Sequence, residues 1–377
     1  MRLALCKWFA LVSLIVFIGL TQFANPTYAA VGGSTAKPSN DEAAERITVI
    51  SKKLEEPGLR GQHSKGHGVV WAEFTVEPSL PDDLKVGVFK EPGKTFSSWI
   101  RFSNAADKDD TKNGLHGMAI KLMGVEGKKV LESEQDETTQ DFISVDHPVF
   151  FIRNAQDFAS FFSVLAESDG KPPLKFFLPG VNPLKWHTRE FQILLAMKRK
   201  KITSPLATEY WSATLYQLGS KAIKFAVKPA VSQPDQAVRA VGKTENYLHD
   251  AMVEQLKEQD ATFDFLVQRQ TDPVKMPLED ATVEWSEKES PFHKVATIRI
   301  PRQVFDSPEQ TAFGENLSFN PWHSLPEHAP LGSLNQVRKV IYQALSEQRH
   351  QYNKVAVKEP TLQSLTPVLL SPSDRSS

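Results

Sequence analysis

From Val70 to Val76 the chain alternates: Val70, Ala72, Phe74 and Val76 on one side, Trp71, Glu73 and Thr75 on the other. A period of two predicts a strand with one face in a core. Trp99 to Asn104 and Met118 to Met123 repeat the pattern. A polar, acidic insert from Glu132 to Thr139 precedes another apolar run, Phe142 to Ile152, interrupted by Asp146-His147-Pro148. Strand signals return at Phe263 to Gln268 and Val295 to Ile300. Tyr210 to Gln217 and Lys221 to Lys228 read as a hairpin around Leu218-Gly219-Ser220.

Helical periodicity appears three times. Asn154 opens a segment in which Phe158, Phe161, Phe162 and Leu165 recur at i, i+3, i+4 and i+7, one apolar face. Thr244 to Gln259 carries Leu248, Met252 and Leu256 on one side. A Pro-broken loop, Asn320 to Pro330, leads to a helix over Leu334 to Arg349. No internal repeat interrupts this order. Antiparallel-type strands with helices inserted between them predict an α+β fold around a sheet or barrel. The 25 prolines suit a loop-rich fold and argue against a helical bundle.

The ends change the picture. Arg2 and Lys7 precede an apolar run from Trp8 to Leu20, then a polar stretch and Thr27-Tyr28-Ala29-Ala30. That is the form of an export signal cleaved after Ala29. The run is short for a membrane span, which needs about 20 residues, so no stable span is expected after cleavage. The expected organisation is a signal peptide over 1–29, a flexible linker over 30–42, one domain over 43–358 and a disordered Pro/Ser-rich tail over 359–377. The mature protein would then work in the periplasm or be secreted. Its one cysteine, Cys6, lies in the leader, so the mature chain has no thiol for disulfides, thiolate catalysis or metal ligation. Apolar residues are 40% and charged residues 24% of a chain with net charge -1. That is a globular balance with no concentrated basic run, so nucleic acid is not an expected partner.

Three constellations carry candidate chemistry. Arg338, Tyr342 and Arg349 are spaced i, i+4 and i+11, which on a helix puts them within roughly 40° of one another. Guanidinium groups beside a phenol favour its ionised form, and a tyrosinate is an established axial ligand for haem iron. On spacing alone, a surface helix with arginines in its last turns is the simpler account. The second constellation is Arg60-Gly61-Gln62-His63-Ser64-Lys65-Gly66-His67-Gly68, where His63 could act as acid or base near neutral pH. Most loop histidines are merely solvated. In the third, Trp99-Ile100-Arg101-Phe102-Ser103-Asn104, alternation puts Arg101 and Ser103 on one strand face. An ordinary exposed face explains that equally well.

Taken together and in order, these segments resemble the haem catalases. The resemblance rests on Arg60-x-x-His63-x-Lys65-Gly66, Ile100-Arg101-Phe102-Ser103, Pro148-Val149-Phe150-Phe151-Ile152-Arg153-Asn154 and the Arg338, Tyr342, Arg349 helix, with the His116 to Lys121 strand between them. It runs from about Leu59 to Arg349 and implies a catalase-like antiparallel β-barrel with surrounding and inserted helices. The long N-terminal arm and C-terminal helical domain of full catalases have no counterpart in the pattern, so a monomer or homodimer is expected. The resemblance also implies roles. His63 matches the distal acid/base and Ser103 the serine that holds it. Arg60, Arg101 and Arg349 match partners of the haem propionates, and Phe158 a ring stacked on the porphyrin. Tyr342 matches the iron ligand and Arg338 the arginine that keeps it anionic. The implied cofactor is haem (iron protoporphyrin).

One departure bears on the substrate. Catalases carry Asn-Asn-Thr-Pro before the Phe-Phe pair, with one asparagine facing the peroxide; here the segment is Val145-Asp146-His147-Pro148. Val145 cannot hydrogen-bond, so a second peroxide would be poorly oriented, unless Gln62, Asp146 or His147 compensates. The expected function is therefore a haem hydroperoxidase acting on hydrogen peroxide or organic hydroperoxides. The alternatives are a non-catalytic haem-binding protein, or a fatty-acid hydroperoxide-transforming enzyme of the allene oxide synthase type. Neither a P-loop, a His-Glu-x-x-His motif nor a Gly-x-Ser-x-Gly elbow occurs, and His323 with His328 sits in too irregular a loop to be favoured as a metal pair.

Overall fold

The computed structural model describes residues 39–54, 56–168, 173–230 and 244–370. The expected leader over 1–29 lies outside the described residues. Twelve strands are described: β1 (Gly66–Val76), β2 (Thr95–Asn104), β3 (His116–Met123), β4 (Thr139–Val145), β5 (Tyr210–Trp211), β6 (Leu215–Leu218), β7 (Lys221–Pro229), β8 (Ala261–Arg269), β9 (His293–Ile300), β10 (Gln303–Val304), β11 (Pro330–Leu331) and β12 (Val368–Leu369). Eight of them close an antiparallel barrel in the order β1-β2-β3-β4-β5-β7-β8-β9, with β9 returning to β1. Strands β6 and β11 extend the sheet from β7. The predicted α+β barrel is therefore the fold.

The period of two decides inside from outside. Val70, Ala72, Phe74, Ile100, Phe102, Met118, Ile120, Leu122, Phe142, Phe225, Phe263, Phe265 and Ile298 all point into one core. Burying each large side chain is worth about 1.5–3 kcal/mol. Phe265 makes edge contact with Phe142 (ring centroids 4.9 Å apart) and stacks on Phe225 at 5.2 Å. Odd-numbered residues of β1 to β4 face outward, and this outer wall carries the candidate site.

Helices cover the wall: α1 (Asn40–Leu54), α2 (Ala155–Glu167), α3 (Leu174–Phe177), α4 (Thr188–Arg199), α5 (Tyr247–Glu258), α6 (Pro308–Asn316) and α7 (Ser333–Asn353). α1, α2 and α7 share a second core around Ile47, Ala155, Ala159, Val337 and Ile341. The predicted helices are α2, α5 and α7. α1 begins inside the segment read as linker, because Ser39 and Glu42 form a reciprocal cap: Ser39 N–H donates to Glu42 Oε2 (2.8 Å) and Glu42 N–H donates to Ser39 Oγ (3.2 Å). α6 starts at Ser307-Pro308, where Ser307 Oγ accepts from Gln310 N–H at 3.1 Å.

The expected disordered tail needs correction. Glu359 is 4% exposed on its side chain and pairs with Lys121 Nζ at 2.5 Å, while Asp141 pairs with the same ammonium at 2.6 Å. Farther on, β12 pairs with β10, and Leu370 N–H donates to Arg302 carbonyl oxygen at 2.9 Å. Composition suggested disorder, but Lys121 points outward from β3 into a covered region and needs two carboxylates. One of them is supplied by the tail. Residues 371–377 lie outside the described residues.

Removing one partner of a buried ion pair costs about 3–5 kcal/mol, because the other charge stays out of water. Glu359→Ala should therefore lower the urea-unfolding free energy by about 3 kcal/mol. An unchanged midpoint would mean that the tail is a bystander.

Candidate functional site

The outer wall reads as rows across paired strands. Ser103, Gly117 and Val145 lie directly opposite one another on β2, β3 and β4. Arg101, Ala119 and Ile143 form the next row, and Trp99, Lys121 and Asp141 the third. Paired residues project to the same side of the sheet. Lys121 and Asp141 are covered by the tail, whereas Ala119, Ile143 and Val145 keep some exposure. The missing side chain at Gly117 leaves a recess in the first row.

His63 lies on this recess. Its imidazole Nδ1 is 3.0 Å from Ser103 Oγ. A Cβ on Gly117 would stand 2.5 Å from His63 Cε1 and 2.6 Å from Nδ1, so only glycine lets the ring lie against β3. The backbone of His63 is left-handed (φ 58°), uncommon for a residue with a side chain. It is fixed on both sides: the N–H donates to Ala105 carbonyl oxygen at 2.9 Å, and the carbonyl accepts from Arg101 Nη2 at 2.9 Å. A bulge follows between Gly66 and Gly68, where a Cβ on Gly68 would meet the Phe305 ring at 2.4 Å.

Electrostatics select one form of this histidine. Enclosure, then Arg101 and Arg60, lower the His63 pKa to about 3 from 6.5, against a smaller opposing effect of Asp146. The imidazole is therefore neutral near pH 7.

Three arginines converge beside it. Arg60 feels the positive charges of Arg101 and Arg349, the negative charge of Glu315 and the hydroxyl of Tyr342; burial first, and the two arginines next, pull its pKa well down. Arg60 Nη2 donates to the carbonyl of Gly314 at 2.9 Å, but its buried Nε has no hydrogen-bond partner. Arg101 reaches Glu315 at 3.4 Å. Arg349, 5% exposed, donates to Ser318 Oγ at 3.4 Å. Three guanidiniums and the Glu315 carboxylate thus share one region largely out of water.

On α7, Arg338 Nη2 donates to Tyr342 OH at 3.3 Å. Its Nη1 donates to Thr214 Oγ1 at 3.0 Å and to Asn335 Oδ1 at 2.9 Å. Burial opposes its charge, but Tyr342 and Tyr216 outweigh burial and raise its pKa. Asn335 is itself fixed by donating to Leu215 and Leu331 carbonyls at 2.8 and 2.9 Å. The helix face inferred from spacing thus holds a fixed guanidinium on a phenol.

The catalase family's sequence profile matches residues 52–169, the stretch with Arg60, His63, Arg101, Ser103 and Phe158. The fold is similar to a fungal catalase (17% identity, TM-score 0.63, covering 89% of this chain and 68% of that one). It is also similar to catalase A from Saccharomyces cerevisiae (16%, 0.62, covering 89% and 70%) and to a bacterial catalase (16%, 0.61, covering 97% and 77%). The chain has a catalase-like fold, and its residues 52–169 match the catalase family. No curated protein matches it.

The expected residues fall on two sides. His63, Ser103, Arg60, Arg101 and Arg349 come together at the wall, and Arg60 is within electrostatic reach of Tyr342, which Arg338 holds. Phe158 lies on the α7 side: its ring meets Phe150 and Phe162 at 5.7 and 4.9 Å, in the cluster with Ile341 and Leu345 of α7. Of the residues considered as replacements for the distal asparagine, Asp146 is committed to His116, accepting from its N–H and pairing with its Nδ1, both at 2.8 Å. His147 Nδ1 pairs with Val149 carbonyl oxygen at 3.0 Å, and Gln62 is exposed. Sequence reasoning missed Glu315, Thr214 and the close approach at Gly117; nothing local in the sequence marks the first two.

His323 and His328 do not form a metal pair. His323 contacts Glu134 and Thr139, and His328 Nε2 accepts from Val88 N–H at 3.0 Å. Two other groups bring three possible metal ligands together among the described residues. Lys121 occupies one, and Arg153 the other, at 2.7 Å from Asp157 and 3.0 Å from Glu190.

The donor set fits haem. A phenol with a guanidinium on its oxygen would give the iron an anionic ligand, a neutral imidazole lies at the recess, and Arg60, whose buried Nε has no hydrogen-bond partner, and Arg101 would meet the propionates.

Burial and neighbouring cations hold His63 at about 3, and burial foremost holds His67 and His328 at about 4, against an ordinary 6.5. Each is neutral when folded. Their contribution to stability is complete above about pH 6.5 and is lost as pH falls toward 4. Unfolding free energy should drop between about pH 7 and pH 4.5, and His63→Gln, which does not titrate, should reduce that drop. Equal drops for both proteins would contradict the assignment.

Proposed function

We propose that this protein is an exported haem hydroperoxidase, with Tyr342 as the iron ligand and His63 as the distal acid/base. The observation that carries the reading is the position of Arg60, whose guanidinium is within electrostatic reach of both His63 and the Tyr342 hydroxyl, beside the His63–Ser103 contact and the Arg338–Tyr342 hydrogen bond. When bound, ferric haem would supply the redox centre at which the peroxide O–O bond is cleaved.

The chain's own residues do the rest. Ser103 holds Nδ1 of His63, which orients the ring and leaves Nε2 for the substrate. Neutral Nε2 accepts the proton of a hydroperoxide and returns it to the leaving oxygen. Arg338 stabilises negative charge on the Tyr342 oxygen. Arg60, Arg101 and Arg349 bind the propionates, and Arg101 transmits that contact to the His63 backbone.

The substrate is read from the first row of the wall. Val145 stands across from Gly117, on the side where His63 lies, and Asp146 is turned to His116. The recess thus presents a methyl-bearing side chain where a carboxamide would orient a second hydrogen peroxide. That favours turnover of organic hydroperoxides, by reduction or rearrangement, over disproportionation. Export rests on the charged, apolar and small-residue order of the first 29 residues.

Purified protein with haem should show a high-spin ferric tyrosinate spectrum, which Tyr342→Phe abolishes. His63→Ala should keep the spectrum and slow turnover of an organic hydroperoxide about 10²–10⁴-fold. A spectrum indifferent to Tyr342→Phe would overturn the ligand assignment. Bound haem with no turnover of any peroxide would make the protein a binder. Cell fractionation with N-terminal sequencing checks export, where a mature chain starting at Ala30 is the expected result.

A further inference from the structure

The segment between α2 and β5 exposes apolar side chains that a folded protein normally hides. Val181 is 97% and Leu184 94% exposed, with Leu174 at 43% and Leu178 at 39% beside them. They project from a built loop. Trp186 Nε1 donates to Gly180 carbonyl oxygen at 3.0 Å, and Asn182 Oδ1 accepts from Leu184 N–H at 3.1 Å. Behind the tip, Phe176 and Phe177 are buried, and Phe176 stacks on His187 at 4.6 Å. The apolar side chains are therefore outside because the inner positions are already filled.

The charges around the tip have one sign. Between Pro173 and Lys201 the chain has seven Lys or Arg and one acid, Glu190. Glu190 is buried and paired with Arg153 at 3.0 Å, so it does not neutralise the surface. Lys175, Lys185, Arg189, Lys198, Arg199 and Lys201 are exposed, and among the described residues only Arg189 of these approaches an acid, Asp280 at 4.0 Å.

We propose that this tip, Leu174 to Leu184 with its basic surround, docks the protein on an anionic lipid bilayer. Val181 and Leu184 enter the acyl boundary, and Lys175 and Lys185 meet lipid phosphates. The combination of apolar tip and basic rim is what such a surface selects. A second copy of the chain fits poorly. A symmetric contact would set the same basic rim against itself, and four aliphatic side chains supply a small part of the roughly 800 Å² per partner of a stable interface.

The test places a label in the tip of the full-length chain. In a Cys6→Ser background, Leu184→Cys and, separately, Val274→Cys carry an environment-sensitive fluorophore. Val274 is 88% exposed on a different loop. Vesicles of phosphatidylcholine and phosphatidylglycerol in equal parts should blue-shift the label at position 184 but not at 274, and pure phosphatidylcholine should shift neither. Lys175→Glu with Lys185→Glu should raise the lipid concentration needed by at least about tenfold. Circular dichroism checks that the fold is kept. Equal shifts at both positions would mean attachment through another segment, such as the apolar leader. No shift at 184, or a shift that needs protein concentration and no lipid, would also overturn the proposal, the latter in favour of self-association. None of these readouts uses haem, so the result is independent of the hydroperoxidase reading.

Discussion

Arg60, Arg101 and Arg349 reach one place from a loop, a barrel strand and the last long helix, with the Glu315 carboxylate beside Arg101 and Arg60. Cations held out of water repel one another and cost several kcal/mol unless paired. An anion bound among them would tie α7 to the barrel wall. The same guanidinium of Arg101 binds the carbonyl of His63, a residue already held in a left-handed turn. Filling the anion site and setting the distal imidazole are thus one mechanical event.

The barrel makes this possible by separating its two faces. Even-numbered positions of β1 to β4 build an aromatic and aliphatic core that needs nothing from the site. The odd-numbered positions are then free to be polar or small. Ser103, Gly117 and Val145 give a floor on which an imidazole can lie, and the third row is closed by Lys121, Asp141 and the returning tail. Asp146 begins where β4 ends, and its carboxylate turns to His116 rather than to the recess. The departure at Val145-Asp146 is therefore a change of chemistry in the recess with the barrel end still fully bonded.

Much of the fold was legible because strand alternation and the faces of α2, α5 and α7 are local signals. The site was legible for a different reason: Arg338 and Tyr342 are one turn apart, and Arg101 and Ser103 two residues apart, so periodicity alone puts each pair on one face. What joins the pairs is not local. Arg60 to Gly314, Thr214 to Arg338 and Lys121 to Glu359 span long stretches of chain, and no pattern in the sequence marks them. The tail was misread for this reason, since Pro and Ser content describes the segment while Glu359 answers a charge on β3. The cap at Ser39 and Glu42 was legible in principle, three residues apart, but was hidden in a stretch read as linker.

Phe158 lies in a row of rings that joins the flank of α7 to the exposed tip. From Phe158 on the flank of α7, rings follow one another through Phe162 at 4.9 Å, Phe161 at 5.9 Å and Phe176 at 5.5 Å to His187 behind the exposed tip. Edge-to-face contacts of this kind hold a rigid apolar layer. A layer running from the helix that carries Tyr342 to the surface that presents Val181 and Leu184 couples those two regions, because close-packed rings transmit strain rather than absorb it.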